Sequence, residues 1–484
     1  MKNTKKRREQ LILPSIIFAI IFCLAANGAH AMKRNPKPQP ETEPMPQPYE
    51  WPVSNPEEQG LHSNIISNAM ENAATKPYLH SLVIIRNGYL VGEGYFHGYG
   101  KFDARNIHSA SKSVTAMLIG IALKEKYLSG LDQKMMDFFP EYQGAGMDPR
   151  KYEISIRHLL EMTSGLGAYQ GDQGLPLLST ADPIGNSITG DIFSNPGEVW
   201  NYFTPGTHIL RGIIKKSTGM TTREFAQHYL FDPLGITPVY WRQDAMGYYM
   251  GNIQFYPGDM ARLGYLYLNN GLLGDKQIID PEYVNLSIQP HNIPVFTSGF
   301  DEEAYGYQWW VGKLSGFHVY AAMGWGGQNI FCVPDLKLVI VTTADSQVDL
   351  QLLTINELEI VELVKSTILN AAAVLGPAPY FPLDVKVRRL ENRSLFLFEF
   401  IDQLTWNHNP RNLEQNIVKY RLYRVSGENR TLLSEIEASG QSDGFRYWVR
   451  PVPRFVQYVY GITSVTGDGT ESSISTVIVN RPED

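Results

Sequence analysis

The sequence has little cysteine, no basic excess and no long apolar run, and each shortage closes off a class of protein. Only Cys23 and Cys332 occur in 484 residues, and they form no C-x-x-C pair. A disulfide framework, a zinc ribbon and a thioredoxin-like redox pair are thereby excluded. Acidic residues outnumber basic ones by 49 to 42, so no basic stripe marks a nucleic-acid partner. H-E-x-x-H, G-x-x-x-x-G-K-[ST] and a complete G-x-G-x-x-G are all missing. The apolar stretch 11–26 contains Pro14 and Ser15 and falls short of the ~20 residues that span a bilayer.

What is present is ordinary globular material, 43% hydrophobic and 19% charged, enough for two or three domains. The short apolar stretch follows Lys2, Lys5, Lys6, Arg7 and Arg8 and precedes Ala29-His30-Ala31. That order predicts a secretory signal over 1–31 and an exported protein, periplasmic or extracellular, with a retained anchor as the alternative. Cleavage leaves Cys332 as the lone thiol, expected in the core as a small hydrophobe. Residues 32–56 carry eight prolines among polar residues and predict an extended linker.

The globular part is expected from residue 57, with its first core residue near Leu61. Two apolar runs meet at Asn87-Gly88, a hairpin signal. Helical patterns follow at 113–127, 155–162, 208–218, 222–230 and 257–269. Strand patterns return at 306–312, 317–323, 328–333 and 338–343, and a long periodic helix spans 352–373. The predicted class is α+β over 57–375: an antiparallel sheet flanked by helices, with a helical subdomain inserted and a cleft between the two parts. Beyond Gly376-Pro-Ala-Pro379 the texture becomes short alternating strands, predicting an all-β sandwich over 380–484.

His158 and Glu161 are three apart but have no further ligand nearby, and their leucine neighbours mark a packing face, so no metal is expected there. Ser109-Ala-Ser-Lys112 carries more. The residues after it are apolar on nearly every side, predicting a buried helix with Ser109 and Lys112 in its first turn. A lysine there sits badly as structure, because desolvation and the positive end of the helix dipole both oppose its charge. Both effects suit catalysis, since they lower the amine toward the range of a base for the serine.

With these residues in view, the stretch from Leu61 to Ala373 resembles serine β-lactamases, penicillin-binding proteins and their esterase relatives. Ile107-His-Ser-Ala-Ser-Lys112 looks like the nucleophile segment, and Ile156–Gly165, Leu230–Ile236 and Pro257–Gly264 follow as landmarks in order. The resemblance implies Ser109 as nucleophile and Lys112 and Tyr202 as proton carriers. It implies an oxyanion hole from the N–H groups of Ser109 and Gln328, and no metal or organic cofactor. Thr204 stands where the family's Y-x-N motif has asparagine. Trp325-Gly326-Gly327 stands for the third motif, with Gly324 or Trp325 in place of the cation that meets a substrate carboxylate. Thr204, Trp325, Gly326 and Gly327 are thus the expected substrate-binding residues. The C-terminal strands, with Leu404-Thr-Trp-Asn407 and Tyr458-Val-Tyr-Gly-Ile462, resemble a fibronectin type III domain.

The expectation is a serine hydrolase acting on a small ester or amide, with no nucleic-acid partner. Its rivals are a β-lactamase or D-alanyl-D-alanine carboxypeptidase, and a non-catalytic wall-associated binding protein. Contact with cell wall or polysaccharide through the C-terminal region stays open.

Overall fold

In the computed structural model the described residues are 47–479, apart from 169–173, 296 and short stretches between 376 and 473. The expected signal segment, 1–31, and residues 32–46 of the expected linker lie outside them. Two compact units emerge. One takes the chain up to Pro52 together with Ala69–Leu369, the other Val53–Asn68 together with Asn370–Asp484.

The first unit is built on a seven-stranded antiparallel sheet. Its strands are β1 (Leu79–Arg86), β2 (Tyr89–Tyr95), β3 (Glu302–Tyr305), β4 (Trp310–Leu314), β5 (Phe317–Gly324), β6 (Gln328–Val333) and β7 (Leu338–Ala344). Their spatial order is β2-β1-β7-β6-β5-β4-β3. Asn87 and Gly88 both have positive φ, 51° and 85°, as the tight β1–β2 turn requires. Every residue of β1, β6 and β7 is buried, so the sheet centre is covered on both faces. Helix α1 (Ser111–Lys124) lies against β5, and α2 (Thr204–Thr218) lies against α1. On the sheet, α3 (Pro257–Leu268) crosses β1, β6 and β7. The helical region falls between β2 and β3 in the chain, as the strand and helix patterns predict.

Three local readings are revised. The run 306–312 is not one strand: 306–309 form the turn between β3 and β4, in which Gln308 takes φ 61°, and only 310–312 belong to a strand. That turn is held by the Gln308 amide: Oε1 accepts from the Thr207 hydroxyl at 2.6 Å, and Nε2 donates to the carbonyls of Leu159 and Leu160. A buried glutamine with every polar atom satisfied fixes a position that apolar periodicity does not register. Helix α2 starts one turn earlier than expected, at Thr204, because Pro205 fits the first turn of a helix. The last residues of the proline-rich stretch are docked on the first unit rather than free as a spacer. Trp51 donates its indole N–H to the Gly258 carbonyl at 3.0 Å, and the Arg262 guanidinium lies 3.8 Å over the Tyr49 ring.

After β7, α4 (Leu350–Leu363) runs into a wider turn of helix at Val364–Leu369, where the first unit ends. Cys332 is free and fully buried.

The second unit carries β8 (Leu383–Arg393), β9 (Phe398–Asn407), β10 (Ile417–Ser426), β11 (Asn429–Glu437), β12 (Phe445–Val452), β13 (Val459–Thr466) and β14 (Ser475–Ile478). They form a three-stranded sheet, β8-β9-β12, and a four-stranded sheet, β11-β10-β13-β14. Leu404, Trp406 and Phe445 of the first sheet share one core with Tyr420, Leu422, Tyr460 and Ile462 of the second. Beside that core Arg389 makes a bidentate pair with the buried Asp402, 2.7 Å on each arm, and Tyr460 donates to the same carboxylate.

Candidate active site

Ser109 sits in a single tight turn, His108–Ala110, that runs directly into α1. This differs slightly from a place in the helix itself, and the difference has a cause: His108 takes a left-handed φ of 46°, so the chain enters the helix through a kink. The serine caps nothing, since no side chain caps α1. Its hydroxyl is engaged instead with Lys112, whose Nζ lies 2.9 Å from Oγ. An N-cap role for Ser109 is thereby excluded.

Lys112 is 4% exposed and has no carboxylate partner among the described residues. Burial lowers its ammonium to about 7, and the nearby Arg211 guanidinium adds to the shift. Arg211, on α2, is a residue the sequence reading missed. It is buried, and its guanidinium donates to the Thr115 hydroxyl, the Ser111 hydroxyl and the Ser111 carbonyl, all on α1 and all uncharged. A second cation is therefore fixed beside the lysine, and among the described residues no carboxylate pairs with it. A neutral amine at near-neutral pH is the result, in reach of a serine hydroxyl.

Tyr202 closes the group. It shares a hydrogen bond with Ser109, and Lys112 Nζ lies 4.6 Å from its ring centre. Burial raises its hydroxyl well above the ordinary tyrosine range, and the charge of Glu357 adds to the rise. The ring stacks on Trp310 at 6.2 Å, with Trp200 and Tyr305 packed around the pair. The structure thus brings Ser109, Lys112 and Tyr202 together.

The third motif is placed by a glycine. A Cβ on Gly324 would lie 2.1 Å from the Ile107 carbonyl and 3.1 Å from the Ala110 nitrogen. The end of β5 therefore presses its bare backbone on the nucleophile turn, and no lysine fits at 324. Trp325, Gly326 and Gly327 form the turn from β5 to β6, with both glycines at positive φ, 79° and 83°. Trp325 remains 36% exposed, which excludes a simple core role. Gln328 opens β6 opposite Gly324, so its backbone adjoins the serine turn. Its side chain braces the β5–β6 turn, donating to the Gly326 and Ala344 carbonyls. Thr204 begins α2 two residues beyond Tyr202, half-buried.

Two further residues, both missed from sequence, border this turn. His108 bonds Ser346 through Nε2 at 3.2 Å, and burial, with the Lys112 charge, lowers it to about 4. Glu357 on α4 accepts from the Gly326 N–H at 2.7 Å. His108 stands next to the nucleophile but its partner Ser346 is remote in sequence, and Glu357 lies far from any recognisable motif, so only the fold brings these contacts in. His158 has a structural task, closing a reciprocal cap with Ser155. Among the described residues no cluster of three or more acidic, histidine or cysteine side chains offers a metal site. A second serine pattern, Gly440-Gln-Ser-Asp-Gly444, spells G-x-S-x-G. It joins two strands, β11 and β12, rather than the strand and helix of a nucleophile elbow, and Ser442 lies outside the described residues.

Comparison with known proteins gives the same neighbourhood. The family model described as Beta-lactamase matches residues 80–364. The 6-aminohexanoate-dimer hydrolase of Paenarthrobacter ureafaciens is 23% identical over 303 residues, which is 57% of this chain and 74% of that protein. A penicillin-binding protein of Bacillus subtilis (strain 168) is 30% identical over 187 residues, 34% of this chain and 40% of its own length. A solved structure from Bacillus anthracis, provisionally named as a 6-aminohexanoate-dimer hydrolase, has a TM-score of 0.53 at 20% identity. It covers 68% of this chain and 88% of that one, a likeness of fold.

Proposed function

This chain belongs to the Beta-lactamase family, and within it we propose an exported serine hydrolase that opens an ester or amide through an acyl-enzyme on Ser109. The observation that carries the reading is the 2.9 Å approach of Lys112 Nζ to Ser109 Oγ, made by a buried amine with no carboxylate partner among the described residues. Neutral Lys112 takes the hydroxyl proton as Oγ bonds to the carbonyl carbon. Tyr202, touching the same oxygen, passes a proton to the departing alcohol or amine. Backbone N–H groups of Ser109 and Gln328 receive the oxyanion. Water then attacks the acyl carbon, the serine regains its proton and the acid leaves.

An ester or neutral amide is favoured over a carboxylate-bearing β-lactam or D-alanyl peptide. No lysine stands in the third motif, and Trp325 offers an apolar wall instead. The relative named for the 6-aminohexanoate dimer supports a hydrolase not confined to β-lactams. The N-terminal basic and apolar pattern supports export. In the second unit, strands one, two and five share a sheet, and four, three, six and seven share the other, which supports a fibronectin type III-like sandwich.

A fluorophosphonate should label Ser109. Ser109→Ala should abolish labelling and lower turnover of a 4-nitrophenyl ester by at least about 10³-fold, with an unchanged melting temperature, because the hydroxyl caps no helix. Labelling at another serine, or a cephalosporin cleaved as well as the ester, contradicts the reading.

A further inference from the structure

The turn that carries the third motif holds a carboxylate where a cation is expected. Glu357 reaches across from α4 and accepts the Gly326 N–H at 2.7 Å. The helix is set close there, since a Cβ on Gly327 would meet Ile360 of α4 at 2.3 Å. That turn is continuous with Gly324, whose backbone lies on the nucleophile turn. The Glu357 charge is also felt at Tyr202, which touches Ser109. Among the described residues Glu357 makes no ion pair, and the buried cations beside Ser109 are engaged elsewhere. Lys112 is bonded to the serine and Arg211 to Ser111 and Thr115.

We infer that Glu357 is a specificity residue, and that the substrate carries a positively charged group, an ammonium, where penicillins carry a carboxylate. This rests on the serine-hydrolase reading of the same site. A half-buried carboxylate held by one backbone N–H has oxygen lone pairs left for a ligand. Trp325 and the aromatic wall around Tyr202 supply apolar faces of the kind that accept an alkylammonium. Burial raises the Glu357 carboxyl to about 7, partly offset by the Gly326 N–H. Its ionisation is thus costly alone and is favoured by an arriving cation. The same charge repels a substrate carboxylate, so the motif discriminates by repulsion as well as attraction.

The test measures how fast a fluorophosphonate labels Ser109 in the presence of n-hexylammonium or hexanoate, ions of equal chain length and opposite sign. The cation should slow labelling at concentrations where hexanoate does not. In Glu357→Gln its protection should weaken roughly ten- to a hundredfold, the range of a charge-assisted hydrogen bond. Protection in each protein is expressed relative to that protein's own labelling rate without added ions. Protection by hexanoate, protection by neither ion, or protection by hexylammonium unchanged in Glu357→Gln overturns the inference while leaving the hydrolase reading intact. Failure of the native protein to label at Ser109 overturns both.

Discussion

The Ser109 site and the sandwich core treat buried charge in opposite ways. In the sandwich, Arg389 and Asp402 are 5% and 0% exposed at their side chains and neutralise each other through two short bonds. Around Ser109, Lys112 and Arg211 are buried just as deeply but bond only hydroxyls and a carbonyl. Pairing a buried charge fixes geometry and leaves little to titrate. Leaving it unpaired destabilises the charged form and keeps the group reactive. The difference separates a site built to react from a pair that holds shape, and within the first unit itself the buried His208–Asp244 pair, 2.6 Å apart, is of the second kind.

That contrast can be broken by substitution, and the largest effect belongs to the proton carriers. Tyr202→Phe should lower kcat on a 4-nitrophenyl ester by roughly 10²–10⁴. The Lys112→Ala, Tyr202→Phe double variant should lose much less than the product of the single losses, because the two act on one proton transfer. Steady-state kinetics of the four proteins decides it, and full multiplicativity would place one of them outside the unit.

Removing one member of the paired charges should act on stability instead. Asp402→Ala leaves Arg389 buried without its partner and should cost the second unit about 3–5 kcal/mol. Denaturant melts followed by tryptophan fluorescence would report it, since Trp406 lies in that core. Labelling of Ser109 below the transition should be retained.

The opposite sign is expected at Lys112. Its folded amine, at about 7, lies below the ordinary value of 10.5, so below pH 7 both folded and unfolded chains are protonated and the full burial cost is borne. Above pH 7 the folded amine is already neutral, and the cost fades as the unfolded amine loses its proton near 10.5. Lys112→Met should therefore be inactive yet more stable at pH 7, on the order of 2–4 kcal/mol. The gain should shrink toward pH 10. Thermal melts at the two pH values test it.

The patterned parts of the chain were legible from sequence. Asn87-Gly88 marks its hairpin because few residue pairs accept positive φ twice. The apolar run after Ser109 marks a buried helix because nothing else would bury a lysine so near a serine. What could not be read depends on long-range packing. Arg211 has the local pattern of any polar residue on a helix, and only the approach of α2 to α1 places it by Lys112. Glu357 sits in a stretch of α4 with Glu359 and Glu362 nearby, so nothing local separates it from solvated glutamates. Gln308 interrupts a strand pattern through side-chain bonds to two separate segments. The docking of Tyr49 and Trp51 was hidden by the prolines around them, whose composition speaks of extension but not of what the extended chain lies against.

The central claim is that Lys112, unpaired and buried, is the base for Ser109, and the pH dependence of fluorophosphonate labelling tests it most directly. The rate should rise with pH through a midpoint near 7, the value set by burial and by Arg211. Arg211→Met removes one of those causes and should move the midpoint upward. Glu357→Gln should leave it in place, which separates the lysine from the carboxyl that also lies near 7. A native midpoint near 4, where His108 lies, or one near 10 would contradict the account.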